Sequence, residues 1–70
     1  MKEDVAKLQR YLRKLFKSDA IRVVLHPKKS DLAELYLGDE FLAPIYREVE
    51  DGEVSYQVQM AILSEDLTDA

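Results

Sequence analysis

The spacing of apolar residues changes once along the chain, from a helical period to strict alternation. Over residues 4–17, Val5, Leu8, Leu12, Leu15 and Phe16 recur at helical spacing with Tyr11 beside them, which predicts an amphipathic helix. Asp4 stands at the N-cap, Glu3 suits the positive end of the helix dipole, and Lys14 and Lys17 suit the negative end. Ser18-Asp19 ends the helix without a glycine. Alternation follows. Ile21, Val23 and Leu25 share one face of a strand over 21–26 that stops at Pro27, with Arg22 and Val24 on the other face. Ala33, Leu35 and Leu37 do the same over 33–37, with Glu34 and Tyr36 outward.

The longest alternating stretch is Phe41 to Ile62, two β-type runs joined at Asp51-Gly52. Asp-Gly between alternating runs signals a two-residue hairpin with a type I′ turn, because both central residues need positive φ. That turn sets the register. Val49 faces Val54, Arg47 faces Tyr56, Ile45 faces Val58, Ala43 faces Met60 and Phe41 faces Ile62 on one side of the sheet. Glu48 faces Ser55, Tyr46 faces Gln57, Pro44 faces Gln59 and Leu42 faces Ala61 on the other. Glu50 opposite Glu53 is a like-charge pair that costs a little, and Pro44 has no N–H for the ladder. Strands are therefore expected over 41–49 and 54–63. To keep Leu37 on the face of Phe41, the two must pair, which makes Gly38-Asp39-Glu40 a three-residue loop. After Leu63 the stretch 64–70 reads as a polar, acidic, frayed tail.

These elements make one α+β domain over 1–70: an N-terminal amphipathic helix packed on a four-stranded antiparallel meander, α-β-β-β-β. The helix is expected to cover Ile21, Val23, Leu25, Leu35, Leu37, Phe41, Ile45, Val58, Met60 and Ile62. Two surfaces then lack an outlet. The opposite face offers Val24, Tyr36, Leu42, Tyr46, Ala61 and Leu63, so Tyr36, Leu42, Tyr46 and Leu63 form a candidate partner surface. Val54 to Leu63 has neither charge nor proline, and a long uncharged edge strand templates pairing. Val54, Tyr56, Val58 and Met60 are the candidate edge of a homodimer; the other way to cover that edge is the order 2-3-4-1.

Composition narrows the picture. At 70 residues a chain buries only about 60% of its unfolded surface, so self-association would supply needed burial. No cysteine is present, which rules out disulfides and thiolate metal sites and fits the cytoplasm. The N-terminus lacks the apolar core of a signal peptide, and no run is long enough to span a bilayer, so no membrane is expected. The net charge of −4 hides a split: residues 1–30 carry nine Lys/Arg against three acids, and residues 31–70 carry one against eleven. Such halves attract each other within or between chains. Alternatively, Lys7, Arg10, Lys14, Lys17, Lys28 and Lys29 form an RNA- or anion-binding face.

Catalytic signatures are missing. Lys28-Lys29-Ser30-Asp31 has no phosphate-cradling glycine, and no HExxH, GxSxG or CxxC occurs. His26, the single histidine, reads as a solvated loop residue, and Ser55 lies on the far strand from it. Glu48, Glu50, Asp51 and Glu53 crowd a turn too short to wrap a cation and read as a solubilising tip. The expectation is a non-catalytic protein-interaction or adaptor domain without cofactors that self-associates through its sheet and meets an unidentified protein partner.

Several segments resemble a family of small uncharacterised bacterial proteins, a domain of unknown function. They are Tyr11-Leu12-Arg13, Ile21-Arg22-Val23, Pro27-Lys28-Lys29, Glu34 to Phe41 with its Gly38-Asp39-Glu40-Phe41 corner, Gly52 to Tyr56, and Met60 to Leu63. Ala43 stands where that pattern has glycine. The resemblance implies a bacterial, single-domain, cytoplasmic protein, and it carries no activity, cofactor or catalytic residue to transfer.

Overall fold

The computed structural model describes residues 1–68. A 3₁₀ turn over Lys2–Asp4 leads into helix α1, Val5–Phe16, and four strands follow: β1 Ile21–Leu25, β2 Leu32–Leu37, β3 Glu40–Glu50 and β4 Glu53–Val58. The strands form one sheet in the order β1-β2-β3-β4, each pair antiparallel. This is the expected α+β arrangement of a helix followed by a meander. Because β1 pairs with β2, the order 2-3-4-1 is excluded.

Helix α1 ends as its sequence requires, without glycine. Lys17 takes the left-handed conformation at φ +54°, and the Ser18 N–H donates back to the Arg13 carbonyl at 3.0 Å. A left-handed lysine carries a cost of about 1 kcal/mol that glycine avoids. Lys17→Gly is therefore expected to stabilise the fold by roughly 0.5–1 kcal/mol and to raise the melting temperature by a few degrees. Lys17→Ala, which keeps the Cβ, should not; thermal melts of the three chains check this.

The core is small. Leu12 of α1 meets Ile21, Val23, Ala33, Leu35 and Ile45, with Val5, Leu8, Leu42 and Tyr56 packed around them. The helix does not lie centred over the sheet but chiefly against β1. Gln9 and Arg13, one turn apart, explain why. The Val23 N–H donates to Gln9 Oε1 at 3.0 Å, and Arg13 Nε donates to the Ile21 carbonyl at 2.7 Å. On β1 the even residues face β2, as the bonds from Gly38 N–H to Ala20 O and from His26 N–H to Leu32 O show. The odd residues point outward, and it is their backbone groups that the two helix side chains take. The expected cover over Val58, Met60 and Ile62 is therefore not made: Val58 is 44% and Ile62 68% exposed.

The β2–β3 corner differs from expectation in an instructive way. Leu37 pairs with Glu40 and Tyr36 with Phe41 around a two-residue turn, Gly38-Asp39, in place of the three-residue loop. Only Gly38 of the two has positive φ, +60°, the pattern of a type II′ turn, which wants glycine first. The register then shifts between Leu35 and Tyr36, so that Leu35 faces Ala43 as the inward pattern demands. The shift exchanges two side chains. Phe41, expected inward, packs edge-on against Tyr36 with ring centroids 5.6 Å apart. Leu42, expected outward, is partly buried against the core.

The second hairpin keeps its register from Glu50 opposite Glu53 to Ile45 opposite Val58, with Asp51 and Gly52 both at positive φ. There it stops. The expected pairs Ala43–Met60, Phe41–Ile62, Pro44–Gln59 and Leu42–Ala61 do not form, and β4 is six residues long. In this ladder the even residues of β3 direct their N–H toward β4, as the odd Arg47 N–H, which donates to Asp31 O at 3.2 Å on the β2 side, makes plain. The next donor after Tyr46 would be residue 44, a proline, so the ladder loses that bond. Ser64–Leu67 forms a 3₁₀ turn where a frayed tail is expected; positions 69–70 of that tail lie outside the described residues.

Candidate functional site

The two edges of the sheet are unlike. The β1 edge has its outward carbonyl at Ile21 and N–H at Val23 occupied by α1 side chains. On β4 the paired residues Glu53, Ser55 and Gln57 face β3, because β3 presents its even residues to them. Val54, Tyr56 and Val58 therefore turn their N–H and C=O groups outward, and no hydrogen bond from these groups to another element is present among the described residues. These are three of the four residues expected at a pairing edge. Met60, the fourth, lies beyond the end of β4 and instead lines a hollow with Phe16, Leu37 and Leu42.

Beside that edge, the helix's seat on β1 leaves a trough on the inner face. It measures about 470 Å³ and is lined by Leu8, Tyr11 and Leu12 of α1, by Tyr56 and Val58 of β4, and by Asp4 and Lys7 at its rim. Tyr11 is 62% exposed along its wall, and Leu15, one turn on, is 55% exposed. The hollow at Met60, about 290 Å³, lies at the C-terminal end of the same helix.

At its N-terminal end the trough is closed by a polar tether. Asp4 occupies the N-cap position, but its carboxylate makes no cap bond. It accepts a hydrogen bond from the Tyr56 hydroxyl and lies 3.8 Å from Arg47 Nε. Donation to the Asp4 carboxylate is the main reason the Tyr56 hydroxyl is raised above its ordinary pKa of 10.0; burial and the Asp4 charge add to the effect, and Arg47 opposes it. Arg47 Nε is buried without a hydrogen-bond partner among the described residues, and Asp4 is the carboxylate it pairs with.

The other predicted groups are placed as follows. On the outer face Tyr36 is engaged on three sides: the Arg22 guanidinium lies 5.1 Å from its ring, Phe41 abuts its edge, and its hydroxyl donates to Glu34 Oε1 at 3.3 Å. With Leu42 turned inward and Leu63 beyond the end of β4, the expected patch of Tyr36, Leu42, Tyr46 and Leu63 reduces to Tyr46 and its neighbours. Lys7, Arg10, Lys14 and Lys17 are exposed, and none forms an ion pair among the described residues. Lys28 and Lys29 are exposed too, on the loop that follows β1. His26 is half-buried rather than solvated: its Nδ1 accepts the N–H groups of Lys28 at 3.0 Å and Lys29 at 3.2 Å and so holds the loop. The described residues contain no group of three or more His, Cys, Asp or Glu side chains suited to a metal ion. Nor do they include a helix long and apolar enough to cross a membrane.

Sequence reasoning missed the trough. Its signal was the position of Gln9 and Arg13, polar residues on one flank of the apolar stripe, opposite Tyr11 and Leu15 on the other. A helix with one polar and one apolar flank hugs an edge on the first and opens the second. Comparison with curated proteins and with solved structures gives no significant match. A family model described as "Protein of unknown function (DUF3126)" matches residues 4–66, nearly the whole chain, and the chain belongs to that family.

Proposed function

We propose that the chain is a non-catalytic protein-interaction module, acting in the cytosol, that self-associates by adding strand to strand at the β4 edge. The difference between the two edges supports this reading. A fold that assigns Gln9 and Arg13 to one edge and leaves Val54, Tyr56 and Val58 open on the other has a partly capped side and a pairing side. An antiparallel two-fold centred on Tyr56 sets Val54 against Val58 of the second copy and Ser55 against its Gln57. No like charges then face each other within the paired stretch. β4 is shorter than the sequence implies, so the ladder is a short one, and the apolar surface beside it adds to the burial.

The test uses a proline that leaves the hairpin intact. The Val54 N–H points away from β3, so Val54→Pro removes an outward donor and no hairpin bond. Two-fold symmetry doubles the loss to two bonds, about 3 kcal/mol, which corresponds to roughly a 100-fold rise in the dissociation constant. Sedimentation equilibrium should show a dimer for the parent chain and a monomer with an unchanged circular-dichroism spectrum for Val54→Pro. A parent chain that stays monomeric at tens of micromolar, or a variant that dimerises as well as the parent, would refute the reading.

A further inference from the structure

Edge pairing leaves the trough beside α1 open, and the chain itself contains a segment of matching chemistry. We infer that this trough seats residues 62–67 of a second copy, with Ile62, Leu63 and Leu67 on its apolar floor and Glu65 and Asp66 against Lys7 and Lys14. The inference rests on the self-association reading but uses a different surface.

Three observations carry it. First, the trough joins an apolar floor to a rim with an unpaired cation. Leu8, Leu12 and Val58 make the floor, and Lys7 stands at the rim with Asp4, whose carboxylate Tyr56 and Arg47 already engage. Lys14, seven residues on, lies two turns further along the same side of the helix. The ion pairs among the described residues are Met1 with Glu3 and Arg47 with Asp4, so no carboxylate among the described residues pairs with either lysine. Second, the C-terminal segment shows the complementary pattern. Leu63 and Leu67 are 53% and 60% exposed, like Ile62 close by, and Glu65 and Asp66 lie between them without a cation. The segment is partly ordered already: the Leu63 N–H donates to Asp66 Oδ2 at 3.3 Å, and Thr68 Oγ1 donates to the Glu65 carbonyl at 2.9 Å. Third, the chain path favours a second copy over the chain's own trough. Gln59 to Leu63 contains no Gly, Pro, Asn or Asp, and Leu63 is extended at φ −84° and ψ 147°. Folding back beside Val58 would need a reverse turn in a stretch without turn residues. Length agrees as well: the twelve residues of α1 span about 18 Å, and six residues in a mix of extended and 3₁₀ backbone span roughly 12–18 Å.

A fluorescein-labelled peptide of residues 59–70, titrated with the full chain and followed by anisotropy, tests the assignment. Saturable binding is expected, weakened about tenfold by Lys7→Glu and by Tyr11→Ser in the chain, and about tenfold by a peptide carrying Glu65→Gln and Asp66→Asn. High salt should weaken it further. Val54→Pro, which blocks the edge but does not touch the trough, should bind the peptide as the parent chain does. Thus an edge that fails to pair while the peptide still binds refutes only the edge reading. Three results would overturn the trough assignment: no saturation at millimolar chain; equal binding of the neutralised peptide; or binding lost in Val54→Pro but kept in Lys7→Glu, which would make the peptide an added strand.

Discussion

Ile45→Ala is expected to remove most of the stability of the fold, whereas Ile62→Ala is expected to leave it nearly unchanged. Ile45 is fully buried in β3 between Ala33 of β2 and Val58 of β4. Its core has few members, and two of the fully buried ones, Ala33 and Ala43, are already alanine and have little side chain to move into a cavity. Truncating isoleucine at such a site costs about 3–4 kcal/mol. A chain of this size has roughly 4–10 kcal/mol in total, so the loss is a large fraction. Ile62 has the same side chain and, from alternation alone, the same inward assignment. It lies past the end of β4 and is 68% exposed, so its truncation should cost less than about 0.5 kcal/mol. Urea titrations followed by circular dichroism, run dilute enough to keep the chains monomeric, separate the two. Equal losses would mean that residues 59–63 pack as a strand on the inner face. At higher concentration Ile62→Ala should instead weaken association, since Ile62 belongs to the segment assigned to the trough.

What the sequence carried and what it did not can be traced to particular residues. Alternation over Ile21–Leu25, Leu32–Leu37 and Ile45–Val58 was enough for the strands, their inward sides and the meander, because a half-buried sheet leaves that pattern no second register. The Asp51-Gly52 turn was legible for the same reason. The Gly38-Asp39 corner was not, because two demands conflict there. Glycine in first position asks for a two-residue turn, and the inward set of Leu35 and Ala43 asks for one residue more. The bulge satisfies both, and only a structure shows which side chains it exchanges. Pro44 did announce the end of β4: its place on the side of β3 that faces β4 follows from the turn alone. The uncharged run through Leu63 hides that stop, because charge and hydropathy say nothing about a missing N–H. Lateral placement of the helix is not legible in the periodicity, since the apolar stripe fixes which side faces the sheet and not where along the sheet it sits. Gln9 and Arg13 settle that by bonding an edge, and the trough is the consequence.

Tyr56→Phe should loosen the N-terminal end of the trough and abolish a pH dependence that the parent chain shows only in alkali. The Tyr56 hydroxyl is the donor that ties Asp4, at the start of α1, to β4 across 52 positions of sequence. A hydrogen bond to a carboxylate in a half-buried site is worth about 1–2 kcal/mol, and Tyr56→Phe removes it without emptying space. Arg47 still faces Asp4 in that variant, so the helix end stays charge-paired and the fold survives. The sign of the pH effect follows from the raised folded-state pKa. Deprotonated Tyr56 would lose its donor and face the Asp4 carboxylate, so the folded chain holds the proton more tightly than the unfolded chain, whose value is near 10.0. The contribution is fully present below about pH 10 and is lost as pH rises through the folded-state value above it. The difference in urea midpoint between parent and Tyr56→Phe should accordingly be constant from pH 7 to about 9.5 and shrink at higher pH. Every other side chain is common to the two chains and cancels in that difference. Because the tether also fixes the wall of the trough against its floor, Tyr56→Phe should weaken capture of the 59–70 peptide at neutral pH without preventing edge pairing, which uses the Tyr56 backbone and not its hydroxyl. A difference in midpoint that grows with alkali, or one already absent at pH 7, would show that the Asp4–Tyr56 bond does not hold the helix to the sheet.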